Sequence, residues 1–436
     1  MLKKIFDKID YRFLIILAAG IVIRIISNLY IGLTIDADGY LYTAEGIINN
    51  DYKSHRPPIF PLLIVPFLLI IKDGEIAIRC ASVTSAILLI IAVYYVFKKT
   101  SFKIFGDDDI GKGKSNYIAL LVTMFVSLNF LSIRYSSSGQ REDLLALFLI
   151  LLFYFLFIAD NKKSKRNYLF IALLCSALTL AHVTAGIFLC ITIIFYYLIP
   201  KLKILEYQVS TVNVFIIIIS FLCSFLFWMI FCFINFGDPF YTMRYHQQWF
   251  KEETSLDLSS IEGIIEGVRE GLTLGIWEEF DALFFCMGII FTLATFLNFG
   301  RYYKNNRIFY LYLLIFVNFL YISIFIAAFP FPRLILYFFP IIFFLGSIPI
   351  INTLYEKKDI RLTVSNLFKR DISISLHIIF FLYLAFYVIL QIFRLIFLIN
   401  TSLYYIRDLI YLFSIIYEFF LLIIFIYPPY KRENIV

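Results

Sequence analysis

Apolar stretches of about twenty residues recur along almost the whole chain, separated by short charged segments. A helix of that length crosses the roughly 30 Å hydrocarbon core of a bilayer, and inside lipid only helices and closed barrels satisfy their own backbone. Cut at their charges, the runs place candidate spans at residues 13–34, 76–97, 117–133, 143–158, 168–182, 184–199, 213–234, 282–298, 308–328, 334–352, 372–398 and 409–427. The long run 168–199 is divided by the polar break His182-Val-Thr-Ala-Gly186. Ile59 to Ile71, with Pro61 and Pro66, is too short to cross and reads as a re-entrant or interfacial piece. The expected fold is all-α: a polytopic bundle of about twelve transmembrane helices. It forms one integral membrane domain over residues 1–436, with no large soluble domain.

Composition closes the alternatives. Apolar residues make up 61% of the chain and charged residues 16%, with a mean hydropathy of +0.87. A soluble domain carries about 25% charged residues, so a soluble enzyme, a disordered chain and a nucleic-acid-binding protein are excluded. Membrane lipids are the expected surroundings. The net charge of +7 takes its meaning from placement. Of the 38 Lys and Arg residues, 25 fall at the N-terminus and in segments 98–114, 162–166, 201–203, 301–307, 357–370 and 431–432. Basic connections stay on the cytoplasmic side. The chain therefore reads as a multi-pass plasma-membrane protein with both termini cytoplasmic. The six cysteines all lie within apolar runs and form no C-x-x-C pair, which makes them small buried hydrophobes.

This orientation leaves two long external segments, 35–75 and 235–281. In the second, Ser259-Ser-Ile-Glu262 is a capping box, followed by Ile261, Ile264, Ile265, Val268 and Leu272 at helical spacing. An amphipathic helix on the outer membrane surface is expected there. Before it, Tyr241, Tyr245, His246, Trp249 and Phe250 follow Gly237-Asp238-Pro239, a set suited to sugar stacking or to an interfacial belt. Asn400-Thr-Ser402 fits an external glycosylation sequon, and Asp107-Asp108-Asp109 reads as a solvated cytoplasmic run.

The first external segment carries the chemistry. Asp36 and Asp38 come directly after the first span, where a carboxylate at a partly dry interface can take a proton from a hydroxyl or amine. The bland alternative is a pair of solvated acids. A third possibility is a D-x-D metal site on a sugar nucleotide; such donors are cytoplasmic, whereas this pair is expected outside. Arg56 and Arg333, at the outer rim, are placed to stabilise an anion or to snorkel. Arg24, midway along the first span, costs about 3 kcal/mol if unpaired, so it must pack inward or answer a buried acid.

Four stretches resemble, in order, the GT-C superfamily of polyprenyl-phosphate-sugar-dependent glycosyltransferases. The nearest branch is that of the protein O-mannosyltransferases and lipid A aminoarabinose transferases. The stretches are Asp36-Ala-Asp38-Gly-Tyr40 with Ala44 and Arg56-Pro57-Pro58; Ser138-Gly-Gln-Arg141-Glu142-Asp143-Leu144; Leu178-Thr-Leu-Ala-His182-Val-Thr184; and Arg333-Leu-Ile-Leu-Tyr337-Phe-Phe-Pro340. The resemblance covers residues 1 to about 350. It implies transfer of a hexosyl or pentosyl group from a polyprenyl or dolichyl phosphate to a protein, lipid or glycan on the extracytoplasmic face. It also implies inversion at the anomeric carbon and a lipid-linked sugar donor, with a divalent metal neither required nor ruled out. By resemblance Asp36 is the catalytic base, Asp38 an auxiliary acid and Glu142 an acid facing the cavity. Arg56, His182, Arg333, Tyr337 and Tyr40 would line the donor and its phosphate. The family has Arg where this chain has His182, and adjacent acids where this chain has D-x-D. The rival reading is a transporter or lipid flippase, which should place acids and arginines deep in several spans.

Overall fold

The computed structural model describes residues 10–52, 54–159, 164–199, 210–242, 244–245, 248, 265, 289–297, 299–302, 305–325, 336–356, 359–363 and 371–399. The expected surface helix at 259–272, the last span at 409–427, the sequon at Asn400, His246, Trp249, Phe250 and Arg333 lie outside these residues, apart from the single position Ile265.

The helices in chain order are α1 (Tyr11–Asn28), α2 (Ile35–Ile48), α3 (Ile59–Ile71), α4 (Gly74–Phe105), α5 (Asp109–Leu128), α6 (Phe130–Ser137) and α7 (Glu142–Phe153). They continue with α8 (Lys165–Ala181), α9 (Val183–Leu198), α10 (Thr211–Phe236), α11 (Ile289–Leu297), α12 (Asn306–Phe325), α13 (Phe339–Glu356) and α14 (Leu376–Ile399). Helix α7 runs on through a π-helical turn, Tyr154–Ile158.

Capping side chains start most of the well-defined helices. Asp10, Thr34, Asp73, Asp108 and Ser164 each accept a first-turn backbone N–H, at the starts of α1, α2, α4, α5 and α8. Asp108 is thus a helix cap within a run expected to be merely solvated. Among the described residues, four single helices have the length and apolarity of membrane spans: Tyr11–Asn28, Gly74–Phe105, Thr211–Phe236 and Leu336–Tyr355. The pair α5–α6, bent by 50°, makes a fifth. Ile59–Ile71, Val183–Leu198, Arg307–Val317 and Phe380–Ile392 are shorter apolar helices.

Three expectations are corrected. The span expected to end at residue 133 instead bends at Asn129 and continues to Ser137. The span expected from 372 starts at Leu376, because Asp371-Ile-Ser-Ile-Ser375 alternates polar and apolar residues and forms a strand. It pairs antiparallel with Asp359–Thr363, Asp359 opposite Ser375, so one short hairpin interrupts the all-α bundle. The segment 35–75, expected as an external loop, is mostly helical: α2 and α3 pack together against α4, with Tyr40 and Phe60 edge to face at 5.1 Å.

Helix α4, about 48 Å long at 1.5 Å per residue, is the central post and packs against α1, α3, α5, α6 and α7. Aromatic contacts fill the layer beyond it. Phe97 stacks on Phe344 at 4.3 Å, and Phe125 meets Phe343, Phe291 and Tyr387 at 4.9, 4.3 and 4.4 Å. The two ends of the bundle differ in charge. At one, Asn116 donates to Asp10, Lys114 to Asn352, Lys103 to the carbonyl of Ile158 and Arg307 to that of Phe157. At the other, α2, the α6–α7 turn and the α8–α9 break come together.

Candidate active site

Thr34 caps α2, and its hydroxyl also accepts from Gln140 Nε2, while its backbone N–H donates to the carbonyl of Ser138 at 3.3 Å. The α6–α7 turn is thereby pinned to the start of α2. Gly139 makes this approach possible: its φ is +79°, and a Cβ there would lie 3.0 Å from that of Ala37. Arg79 donates to the carbonyl of Ser137 and Ser82 to that of Gln140, so α4 holds the same turn from behind.

On the first turn of α2, Asp36 Oδ1 accepts from Arg56 Nη2 at 2.9 Å, with side chains 28% and 16% exposed, so the pair sits at the edge of the protein rather than inside it. Asp38 points elsewhere. Residues two apart on a helix lie about 200° apart around its axis. Asp38 is exposed and has no hydrogen-bond or ion-pair partner among the described residues. In a helix the D-x-D pair does not converge on one cation.

Arg56 is placed by its own loop. Its N–H donates to Ser54 Oγ at 3.1 Å and its carbonyl accepts from the Tyr52 hydroxyl at 2.6 Å. Thr43 Oγ1 donates to Ser54 Oγ at 2.7 Å, tying the loop to α2. The guanidinium lies against Gly39, where a Cβ would overlap it, and over the ring of Tyr40 at 4.6 Å. A second guanidinium, that of Arg141, lies 5.3 Å from the same ring. Tyr40 is buried, and burial raises its phenol above the ordinary value near 10, so it stays neutral and acts through its ring and hydroxyl. Asp36 and Glu142 push in the same direction, and Arg141 and Arg56 oppose them. Two acids and two arginines therefore surround one buried tyrosine.

Arg141 also joins the site to the span break. Its Nη1 donates to the carbonyl of Ala181 at 2.8 Å, the last residue of α8. His182 follows in extended conformation and starts α9, so the break falls where the sequence places it. Glu142, on the first turn of α7, is buried rather than solvated. Tyr337 is buried beside Phe338, ring centroids 4.9 Å apart, in the turn leading into α13. The structure thus brings together Asp36, Arg56, Tyr40, Arg141 and Glu142, with His182 one residue from Arg141's anchor. Sequence reasoning passed over Arg141 as part of a charged helix start. Its signal was position, the first basic residue after Ser136-Ser-Ser-Gly-Gln140.

Arg24 is fully buried and engaged through all three nitrogens. Nη1 donates to the carbonyls of Ser127 (2.8 Å) and Gly20 (3.1 Å), Nε to Ser136 Oγ (3.1 Å) and Nη2 to Ser132 Oγ (2.8 Å). Ser132 Oγ in turn donates to Asp143 Oδ1 at 3.2 Å, so the buried acid that Arg24 answers is Asp143.

Fold and apolar spans together define the class: a helical membrane protein. No protein-family model matches the sequence, and no curated protein matches it. Among solved structures it is similar to ArnT from Cupriavidus metallidurans bound to undecaprenyl phosphate. The TM-score is 0.54 at 11% identity, over 94% of this chain and 75% of that one. It is also similar to the archaeal oligosaccharyltransferase AglB from Archaeoglobus fulgidus, solved with an inhibitory peptide and a dolichol-phosphate. Here the TM-score is 0.52 at 12% identity, over 88% of this chain and 55% of that one. At such identities the shared property is the fold.

Proposed function

We propose that the protein is a polyprenyl-phosphate-sugar-dependent glycosyltransferase working at the extracytoplasmic face. The observation that carries this reading is the Asp36–Arg56 pair at the start of the helix after the first span, in a fold shared with two lipid-phosphate-binding neighbours. An acceptor hydroxyl or amine attacks the anomeric carbon opposite the phosphate. The new bond to carbon forms as the carbon–oxygen bond to phosphate breaks, and the electron pair leaves with the polyprenyl phosphate. Asp36 takes the acceptor's proton, and a single displacement inverts the anomeric centre. Negative charge grows on the departing phosphate, where a fixed guanidinium acts as the electrostatic stabiliser. Arg56 fills that role, with Arg333, Tyr337 and His182 assigned to the donor side. Glu142 shapes the cavity and Tyr40 holds Arg56 in place. No step draws on a metal ion.

The donated sugar is a hexosyl or pentosyl group, and the acceptor a protein, lipid or glycan. The reading includes a multi-pass plasma-membrane topology of about twelve spans with both termini cytoplasmic. The gathering of basic segments at the bundle end away from Asp36 supports that sidedness. The transporter alternative draws less support. The deepest charged pair, Arg24 with Asp143, is locked into carbonyls and hydroxyls of α1, α5 and α6 rather than lining a path.

The test is a transfer assay in membranes containing the protein, supplied with radiolabelled polyprenyl-phosphate sugars. Label moving to an acceptor supports the reading. Solute uptake with no transfer from any donor would reverse it in favour of the transporter.

A further inference from the structure

The site holds a second cation that the proposed mechanism leaves without a task. We infer that Arg141 is a binding residue for the donor's phosphate, forming with Arg56 a pair of guanidinium groups set by the ring of Tyr40. The inference deepens the glycosyltransferase reading and rests on it.

Arg141 commits one nitrogen, Nη1, to the Ala181 carbonyl, while Nε and Nη2 have no hydrogen-bond partner among the described residues. Arg56 likewise commits Nη2 to Asp36, and its buried Nε has none. Each arginine is therefore fixed at one edge and has donors left over. Two cations drawn to one neutral ring repel each other, and no carboxylate is paired with Arg141 within ion-pair distance among the described residues. Such a pair suits an anion carrying more than one negative charge, which the phosphate monoester released in the reaction is. Guanidinium also presents paired N–H groups that match phosphate oxygens, which an ammonium does not. Arg141, anchored on the residue before the His182 break, supplies a permanent charge on that side of the site.

The experiment uses the full-length protein in nanodiscs and measures affinity for two probes, undecaprenyl phosphate and undecaprenol, which differ only in the phosphate. Arg141→Gln should weaken undecaprenyl phosphate binding at least tenfold and leave undecaprenol within twofold. Arg141→Lys, which keeps the charge without the fork, should recover only part of the loss. Arg141→Gln binding undecaprenyl phosphate like the wild type would overturn this inference and leave the proposed function standing. Equal weakening for both lipids would also overturn it, by assigning Arg141 to packing. A wild-type protein with no preference for the phosphorylated lipid would bring down the reading of the site, and this inference with it.

Discussion

At the scale of single residues, what separates Asp36 from Asp38 is helical geometry. Both acids favour the first turn of α2, where the helix dipole welcomes negative charge, yet only Asp36 lies on the face that meets Arg56. As a linear pattern, D-x-D carries no such distinction. Thr34, two residues ahead of Asp36, is the cap that makes the segment a helix, and that signal was legible without being used. The approach of α2 to the α6–α7 turn rests on Gly139. Gly139→Ala should lower the thermal midpoint in detergent by the equivalent of about 1–3 kcal/mol, since it combines a left-handed φ with a crowded Cβ. Gly32→Ala, with nothing within 4 Å, should leave the midpoint unchanged. Equal effects in the two variants would show that the turn does not need glycine.

At the scale of elements, the breaks explain why some boundaries were readable and others not. His182 is followed by Thr184 and Gly186 in an otherwise apolar run, so its break is visible in composition. Asn129 is one polar residue among apolar neighbours, and its break becomes visible only through the groups it frees. Its Oδ1 accepts from the N–H groups of Leu131 and Ser132 at 3.0 and 3.2 Å. Gln391 of α14 accepts from the N–H of Phe130 at 3.1 Å, and Arg24 takes the carbonyl of Ser127. The Arg24 and Gln391 contacts join residues 103 and 261 positions apart, beyond the reach of any local pattern. Within a bilayer each such group must be satisfied by protein. Asn129→Ala should therefore cost about 1 kcal/mol as a lost cap. Arg24→Leu should cost more, about 3–5 kcal/mol, because Asp143 loses its cation. Denaturant melts of the purified variants check the order. Arg24→Leu matching the wild type would mean that the buried network contributes nothing to stability.

At the scale of the whole molecule, the apolar period and the asymmetry of Lys and Arg carried the class of protein, because the bilayer constrains backbone and charge along the entire chain. The arrangement around Tyr40 was only half legible. Asp36, Tyr40 and Arg56 lie within 21 residues of one another, whereas Arg141 and Glu142 arrive from more than 80 residues further on, brought in by the packing of α4 against α6 and α7. The two-ended charge distribution makes a direct prediction. In a background lacking native cysteines, Asp38→Cys should react with a membrane-impermeant maleimide added to intact cells. Lys112→Cys, at the basic end and also exposed, should react only after permeabilisation. The opposite pattern would invert the molecule in the membrane and remove Asp36 from the outer face.

The central claim is that the carboxylate held by Arg56 removes the acceptor's proton. The most direct measurement compares sugar transfer from a polyprenyl-phosphate donor in membranes bearing the wild type, Asp36→Asn and Asp38→Asn, with undecaprenyl phosphate binding measured in parallel. The account predicts that Asp36→Asn loses about 10²–10⁴ of the transfer rate while still binding the lipid phosphate, and that Asp38→Asn stays within a few-fold of wild type. Full transfer by Asp36→Asn, or loss in Asp38→Asn alone, would contradict it.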